Sequence, residues 1–120
     1  MRVLIDECID QRLRLLLPAH DCQTAGFANL AGLKNARLLD AAEAAGFDGL
    51  ITVGQSMPDR QNLKTRIISV LILCAPSSRL SDLDPLAPAA NVALASIEPG
   101  QVLRIRQDLA EPAASKKRKV

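Results

Sequence analysis

The feature that most constrains this chain is the way its first apolar run breaks off. Val3-Leu4-Ile5, apolar without alternation, is followed at once by two carboxylates, Asp6-Glu7. A run of this kind reads as a strand covered on both faces, the usual situation in a parallel sheet. In open α/β sheets the ligand crevice lies at the carboxyl ends of the strands, so Asp6 is expected at its mouth. Two acidic side chains held there form a candidate site for a hard cation such as Mg²⁺ or Mn²⁺. The structural alternative is that Asp6 caps the next helix and Glu7 is solvated.

The rest of the sequence supplies the partners such a strand needs. Ile9, Leu13, Leu16 and Leu17, with charges between them, predict a short amphipathic helix stopped by Pro18. His20 to Ala25 reads as a weaker strand and Gly26 to Gly32 as a loop. Asn35 can cap a helix running to about Ala45, with Leu38, Leu39, Ala42 and Ala45 on its apolar face and Gly46 ending it. Phe47 to Val53 leads into a third strand that breaks at Gly54, and polar Gln55 to Lys64 is a crossing loop. Ile67 to Leu73 is the most apolar run and the expected central strand. Leu80 to Ile97 is helical, delayed or bent by Pro85 and Pro88. After the Pro99-Gly100 turn, Val102, Leu103 and Ile105 alternate with Arg104 and Arg106, as at a sheet edge. The order β-α-β-α-β-loop-β-α-β calls for an α/β fold: a mostly parallel sheet of four to five strands with helices on both faces. One domain spans residues 1–107. Residues 108–120, rich in Ala, Pro, Ser and Lys, read as a disordered basic tail.

Composition narrows the function classes. The net charge of +2 falls to −2 without Lys116, Lys117, Arg118 and Lys119, so the body is slightly acidic and no body-wide nucleic-acid face is expected. The tail run Ser-Lys-Lys-Arg-Lys-Val120 is similar to short basic nuclear-import signals, and equally reads as a solvated charged tail. Phe27 and Phe47 are the only aromatics, so base recognition by stacking is not expected. Cys8, Cys22 and Cys74 lack metal-ligand spacing and read as reduced thiols of a cytoplasmic protein. Cys8, beside the acid pair, is a candidate nucleophile, against the plainer reading of an inert thiol. No signal peptide or membrane-spanning stretch is apparent, and His20, the single histidine, reads as structural.

Several segments together carry a family resemblance. They are Val3-Leu-Ile-Asp-Glu-Cys-Ile-Asp10, Ala31-Gly-Leu-Lys-Asn35, Leu50-Ile-Thr52, Met57-Pro58 with Gln61-Asn-Leu63, and Arg79-Leu-Ser-Asp-Leu83 with Pro85-Leu86. In this order, over residues 1 to about 106, the chain resembles small bacterial PIN-like domains, relatives of the ribonuclease toxins of toxin–antitoxin pairs. The resemblance implies a three-layer α/β fold with carboxylates around Mg²⁺ or Mn²⁺, RNA phosphodiester hydrolysis and a cognate antitoxin protein as partner; an exposed apolar patch in the third helical region would suit a homodimer. Asp6 is the first candidate metal-ligating and catalytic residue, followed by Glu7 and Asp40, and Lys34, Arg60, Gln61 and Asn62 are candidate substrate contacts.

Two positions depart from the pattern. Family members carry an aspartate just after the third strand, where this chain has Thr52-Val53-Gly54. The glutamate expected early in the second helix corresponds to Arg37, with Asp40 one turn away. Asp48 reads as a strand-start residue. The chain is therefore expected to be a weakened or inactive form of the nuclease. A non-catalytic module that binds RNA or an antitoxin through Lys34, Arg37, Arg60, Lys64 and Arg66 is the alternative. A receiver-like signalling domain is a third reading, prompted by Gln55-Ser-Met-Pro58. It lacks both the phospho-accepting aspartate, which falls on Gly54, and any lysine between Lys64 and Lys116.

Overall fold

The five expected strands all form and all run parallel. The computed structural model describes residues 1–33, 35–53 and 67–106. Its sheet has the order β2-β1-β3-β4-β5, built from β1 (Arg2–Ile5), β2 (Asp21–Thr24), β3 (Gly49–Val53), β4 (Ser69–Leu73) and β5 (Val102–Ile105). Register runs through Ile5↔Thr24, Ile5↔Ile51, Ile51↔Leu71 and Leu71↔Leu103. This is a doubly wound order in which the direction of strand progression reverses between β1 and β3. The crevice outside a sheet of this order opens at that reversal.

Helices cover both faces, so the α/β, three-layer arrangement holds. On one face α1 (Asn35–Ala44) sets Leu38, Leu39 and Ala42 against Leu4, Leu50, Val70 and Ile72. On the other, a 3₁₀ helix (Gln11–Leu16), α2 (Leu80–Leu83) and α3 (Ala87–Ser96) pack Leu13, Leu83, Ala90 and Leu94 against Val3, Ile5, Ile51 and Leu73. Alternate residues of each strand thus serve opposite cores. Each fully buried Leu or Ile contributes roughly 1.5–3 kcal/mol relative to exposure.

Two expectations need correction. The segment before Pro18 forms a 3₁₀ helix rather than an α-helix. Asp10 caps it and its six residues allow about two tight turns, in which Leu13 and Leu16 stack three apart on the core side. The most apolar strand, β4, is not central: β3 stands in the middle and β4 one place outward. All five β4 residues are buried because it has a neighbour on each side and a helical layer on each face. Apolarity reports that coverage and not rank in the sheet.

The α1 terminus follows its expected chemistry. Gly46 takes φ +88°, and its N–H donates to Glu43 O at 3.0 Å while the Phe47 N–H donates to Ala42 O at 3.0 Å. That pair of bonds is a Schellman cap. The prolines of the third helical region shift it as expected: Pro85 sits in a 3₁₀ turn (Asp84–Leu86) and Pro88 enters the first turn of α3. β5 lies at an edge, as its alternating arginines indicate. The tail from residue 107 lies outside the described residues. Among the described residues no helix is long and apolar enough to cross a membrane.

Candidate functional site

β1 delivers Asp6 to the carboxyl edge of the sheet, at the reversal between β1 and β3. Its N–H continues the ladder by donating to Ile51 O at 3.0 Å, which sets the Asp6 side chain beside Thr52. The Thr52 hydroxyl, on a residue only 2% exposed, donates to Asp6 Oδ2 at 2.7 Å. The Glu7 N–H donates to Asp6 Oδ1 at 2.8 Å. Both oxygens are therefore oriented, each by one neutral donor. A carboxylate has about four lone-pair sites, so further acceptor capacity remains on each oxygen.

Glu7 is exposed beside it, and one of its oxygens is committed. Glu7 Oε1 accepts the Gly32 N–H at 2.8 Å, tying the β2–α1 loop to the end of β1. Gly32 has φ +90°, a conformation that suits glycine. The helix-cap alternative for Asp6 does not hold, because Asp10 does the capping. Asp10 Oδ1 accepts the Arg12 N–H at 2.9 Å, and its carboxylate also pairs with the Arg12 guanidinium at 2.7 Å. Arg12 holds the Asp10 carboxyl at about 2, below its ordinary 3.8.

The other acids lie elsewhere. Asp40 is exposed on α1, and among the described residues no three His, Cys, Asp or Glu side chains come together as a metal-holding group. Asp6 and Glu7 share the carboxyl edge; Asp40 does not complete a trio with them. Glu43, one turn further along α1, reaches the opposite edge, where Oε2 accepts the N–H groups of Ile67 and Ile68 at 3.0 and 3.2 Å. Asp48 sits at the start of β3, as expected, with Oδ2 accepting the Arg2 N–H at 2.9 Å. Lys34, Gly54, Arg60, Gln61 and Asn62 lie outside the described residues, as do Asp59, Lys64 and Arg66.

Cys8 is exposed in the turn after Glu7, and its thiol is pushed up by partial desolvation of the sulfur and by the Asp6 charge. A thiol kept protonated is a poor nucleophile, which counts against that role. His20 precedes β2 at the amino edge, far along the strands from Asp6, and its Nδ1 is buried with no partner among the described residues. Thr52 is the site residue that sequence reasoning passed over as a site residue. Its signal was present: a hydroxyl one residue beyond Ile51, in a strand otherwise buried and apolar. Comparison of the chain with protein-family models, curated proteins and solved structures finds no match in any of the three.

Proposed function

We propose that the chain is a PIN-like domain of toxin–antitoxin type whose carboxyl-edge acid site is that of a Mg²⁺- or Mn²⁺-dependent endoribonuclease, weakened by the glycine at position 54. The observation that carries this reading is Asp6, held by Thr52 and the Glu7 N–H at the strand reversal with Glu7 beside it. The donor set fits the ion. Mg²⁺ takes oxygen ligands, keeps several waters, and is commonly held by one or two carboxylates together with substrate phosphate. A bound divalent cation supplies charge neutralisation at the phosphodiester and acidifies a coordinated water.

The chain's own residues have separable tasks. Asp6 offers the oriented carboxylate, and Thr52 fixes its direction from beneath, the role of an outer-layer partner. Glu7 offers its second oxygen while the first holds the loop through Gly32. Asp40, on α1, does not join Asp6 and Glu7 in a three-acid group among the described residues, and Lys34, Arg60, Gln61 and Asn62 are the proposed RNA contacts. A cognate antitoxin and a second copy of the chain are proposed partners.

The experiment is Mn²⁺ binding by calorimetry on this chain and on Gly54→Asp, with RNA cleavage assayed alongside. Tight binding and cleavage only in Gly54→Asp support a disarmed nuclease. Cleavage by the chain itself removes the weakening ascribed to Gly54. No Mn²⁺ binding by either removes the nuclease reading, and salt-dependent RNA binding without cleavage then makes this a non-catalytic module.

A further inference from the structure

The two aromatic side chains have opposite fates. Phe47 is 3% exposed, in the core beneath α1, whereas Phe27 is 80% exposed. A single exposed hydrophobe needs no explanation by itself. Phe27, however, borders a groove of about 390 Å³ along the outer edge of β2, closed on its other side by the first 3₁₀ helix. That volume lies in the range of small-ligand sites.

The groove's walls are chemically mixed in a particular way. Gln11 brings a side-chain amide, a donor and an acceptor, and Gln23 lines the groove from the β2 edge. Arg14 brings a guanidinium on an exposed residue, with no carboxylate at ion-pair distance among the described residues. Cys22, half-buried, is pushed up to about 11 by its burial and by Asp21, so it is a neutral wall. Asp21 is the one acid in the lining among the described residues, and it lies at the far, amino end of β2, 3.9 Å from Arg2 Nε.

Phe27 is also held where it is. Its N–H donates to Thr24 Oγ1 at 3.2 Å, and the next residue, Ala28, donates to Thr24 O at 2.9 Å. Leu30 closes the loop onto Ala25 O at 2.8 Å, and Gly32 fastens it to Glu7. The ring is thus presented on a loop anchored to the acid pair at the carboxyl edge. An aromatic face, an amide and a cation around a nucleotide-sized groove are means by which proteins grip unpaired bases.

We propose that the groove between the β2 edge and the first 3₁₀ helix is a subsite for one nucleotide of single-stranded RNA, with its base stacked on Phe27. Gln11 meets the base edge, and Arg14 meets a phosphate. The proposal rests on the RNA-directed reading of the carboxyl edge, and it reverses the expectation that stacking plays no part.

The chain has no Trp and no Tyr, so Phe27→Trp installs a single indole reporter at the stacking position. The probe is a short single-stranded oligoadenylate, titrated without divalent metal, with an abasic strand of equal length as control. Quenching by oligoadenylate and not by the abasic strand is expected. Phe27→Ala should weaken oligoadenylate binding roughly ten-fold while the thermal midpoint stays put, since the ring is solvent-facing. Arg14→Ala should lower the slope of log affinity against log salt by about one. Equal quenching by both strands, no quenching, or unchanged affinity of Phe27→Ala overturns the subsite. Because no metal is present, these outcomes are independent of whether Gly54→Asp restores Mn²⁺ binding and cleavage, so the subsite and the nuclease reading fail separately.

Discussion

The two edges of the sheet use the same residue types to opposite ends. At the amino edge Asp21 Oδ2 lies 3.9 Å from Arg2 Nε, and the Arg2 guanidinium donates to Ala45 O at 2.9 Å while lying 4.6 Å from the centre of the Phe47 ring. Carboxylate, cation, ring and helix terminus are bound to one another there. At the carboxyl edge, Asp6 and Glu7 are met only by neutral donors among the described residues: Thr52, a backbone N–H and the Gly32 N–H. An aspartate whose charge is matched locally reinforces the frame. An adjacent pair of carboxylates left unmatched, yet held in place, keeps negative charge for something else. That contrast is the physical case for the carboxyl edge as the site.

The sharpest way to break the contrast is a paired substitution. Asp6→Asn keeps an acceptor for Thr52 but removes the charge. In the Gly54→Asp background it should lower Mn²⁺ affinity by about a hundredfold or more, read by calorimetry, with little change in stability. Asp21→Asn should leave Mn²⁺ binding alone and cost about 0.2–1 kcal/mol, since its pairing with Arg2 is solvent-exposed. If both substitutions behave alike, the two edges do not differ as argued.

A second test presses on the amino edge alone. Gly46 has φ +88°, and a Cβ placed there would lie 2.8 Å from Arg2 Nη1. Gly46→Ala should therefore cost about 1–2 kcal/mol from the left-handed conformation, with a further loss if Arg2 is displaced from Ala45. Thermal unfolding should register it as a drop of several degrees in Tm. Mn²⁺ binding by the Gly54→Asp chain should be untouched. A Tm that does not fall would show that the Arg2 cluster yields easily and is not the reinforcement described here.

Thr52→Val then joins stability to function at the other edge. It is nearly isosteric and removes the one side-chain donor to Asp6 among the described residues. A loss of about 1 kcal/mol is expected, with Mn²⁺ affinity in the Gly54→Asp background falling about tenfold as Asp6 loses its orientation. Unchanged metal affinity would assign Thr52 to packing alone.

How much of this was legible in the sequence depends on the range of the interactions involved. β1, β3, β4 and the Gly46 cap were readable because apolar runs and a terminal glycine are local signals. The α/β class followed from the alternation of elements. That β3 and not β4 stands in the centre was not readable, since both are sealed on two faces and strand order is a long-range outcome. The 3₁₀ form of Gln11–Leu16 escaped because its leucine spacing suits either helix over so few residues. Asp6 at the strand end was foreseen from chain position. Its partnership with Thr52 is set by the β1–β3 register, 46 residues apart in sequence, which a period-based reading does not reach. Phe27 was counted as scarce aromatic content, and only the fold distinguishes a ring in solvent from one in the core.

The smallest effect concerns Asp10, which stands between the two kinds of carboxylate: at the carboxyl edge like Asp6, yet matched by a cation like Asp21. Its folded pKa of about 2 lies below the ordinary 3.8 because it accepts hydrogen bonds from the Arg12 side chain and backbone. A depressed carboxyl stabilises the fold above its unfolded value and loses that contribution as pH falls through the folded one. The window is therefore from about pH 4 down to about pH 2. Asp10→Asn should flatten the stability profile inside that window and leave its shape above pH 5 unchanged, measured by denaturant unfolding across pH. The pair is solvent-exposed, so added salt should shrink the difference between the two proteins. A parent profile already flat between pH 4 and pH 2 would mean that the Arg12 pairing is lost in solution. Asp10 would then join Asp6 and Glu7 as an unmatched charge on the carboxyl edge.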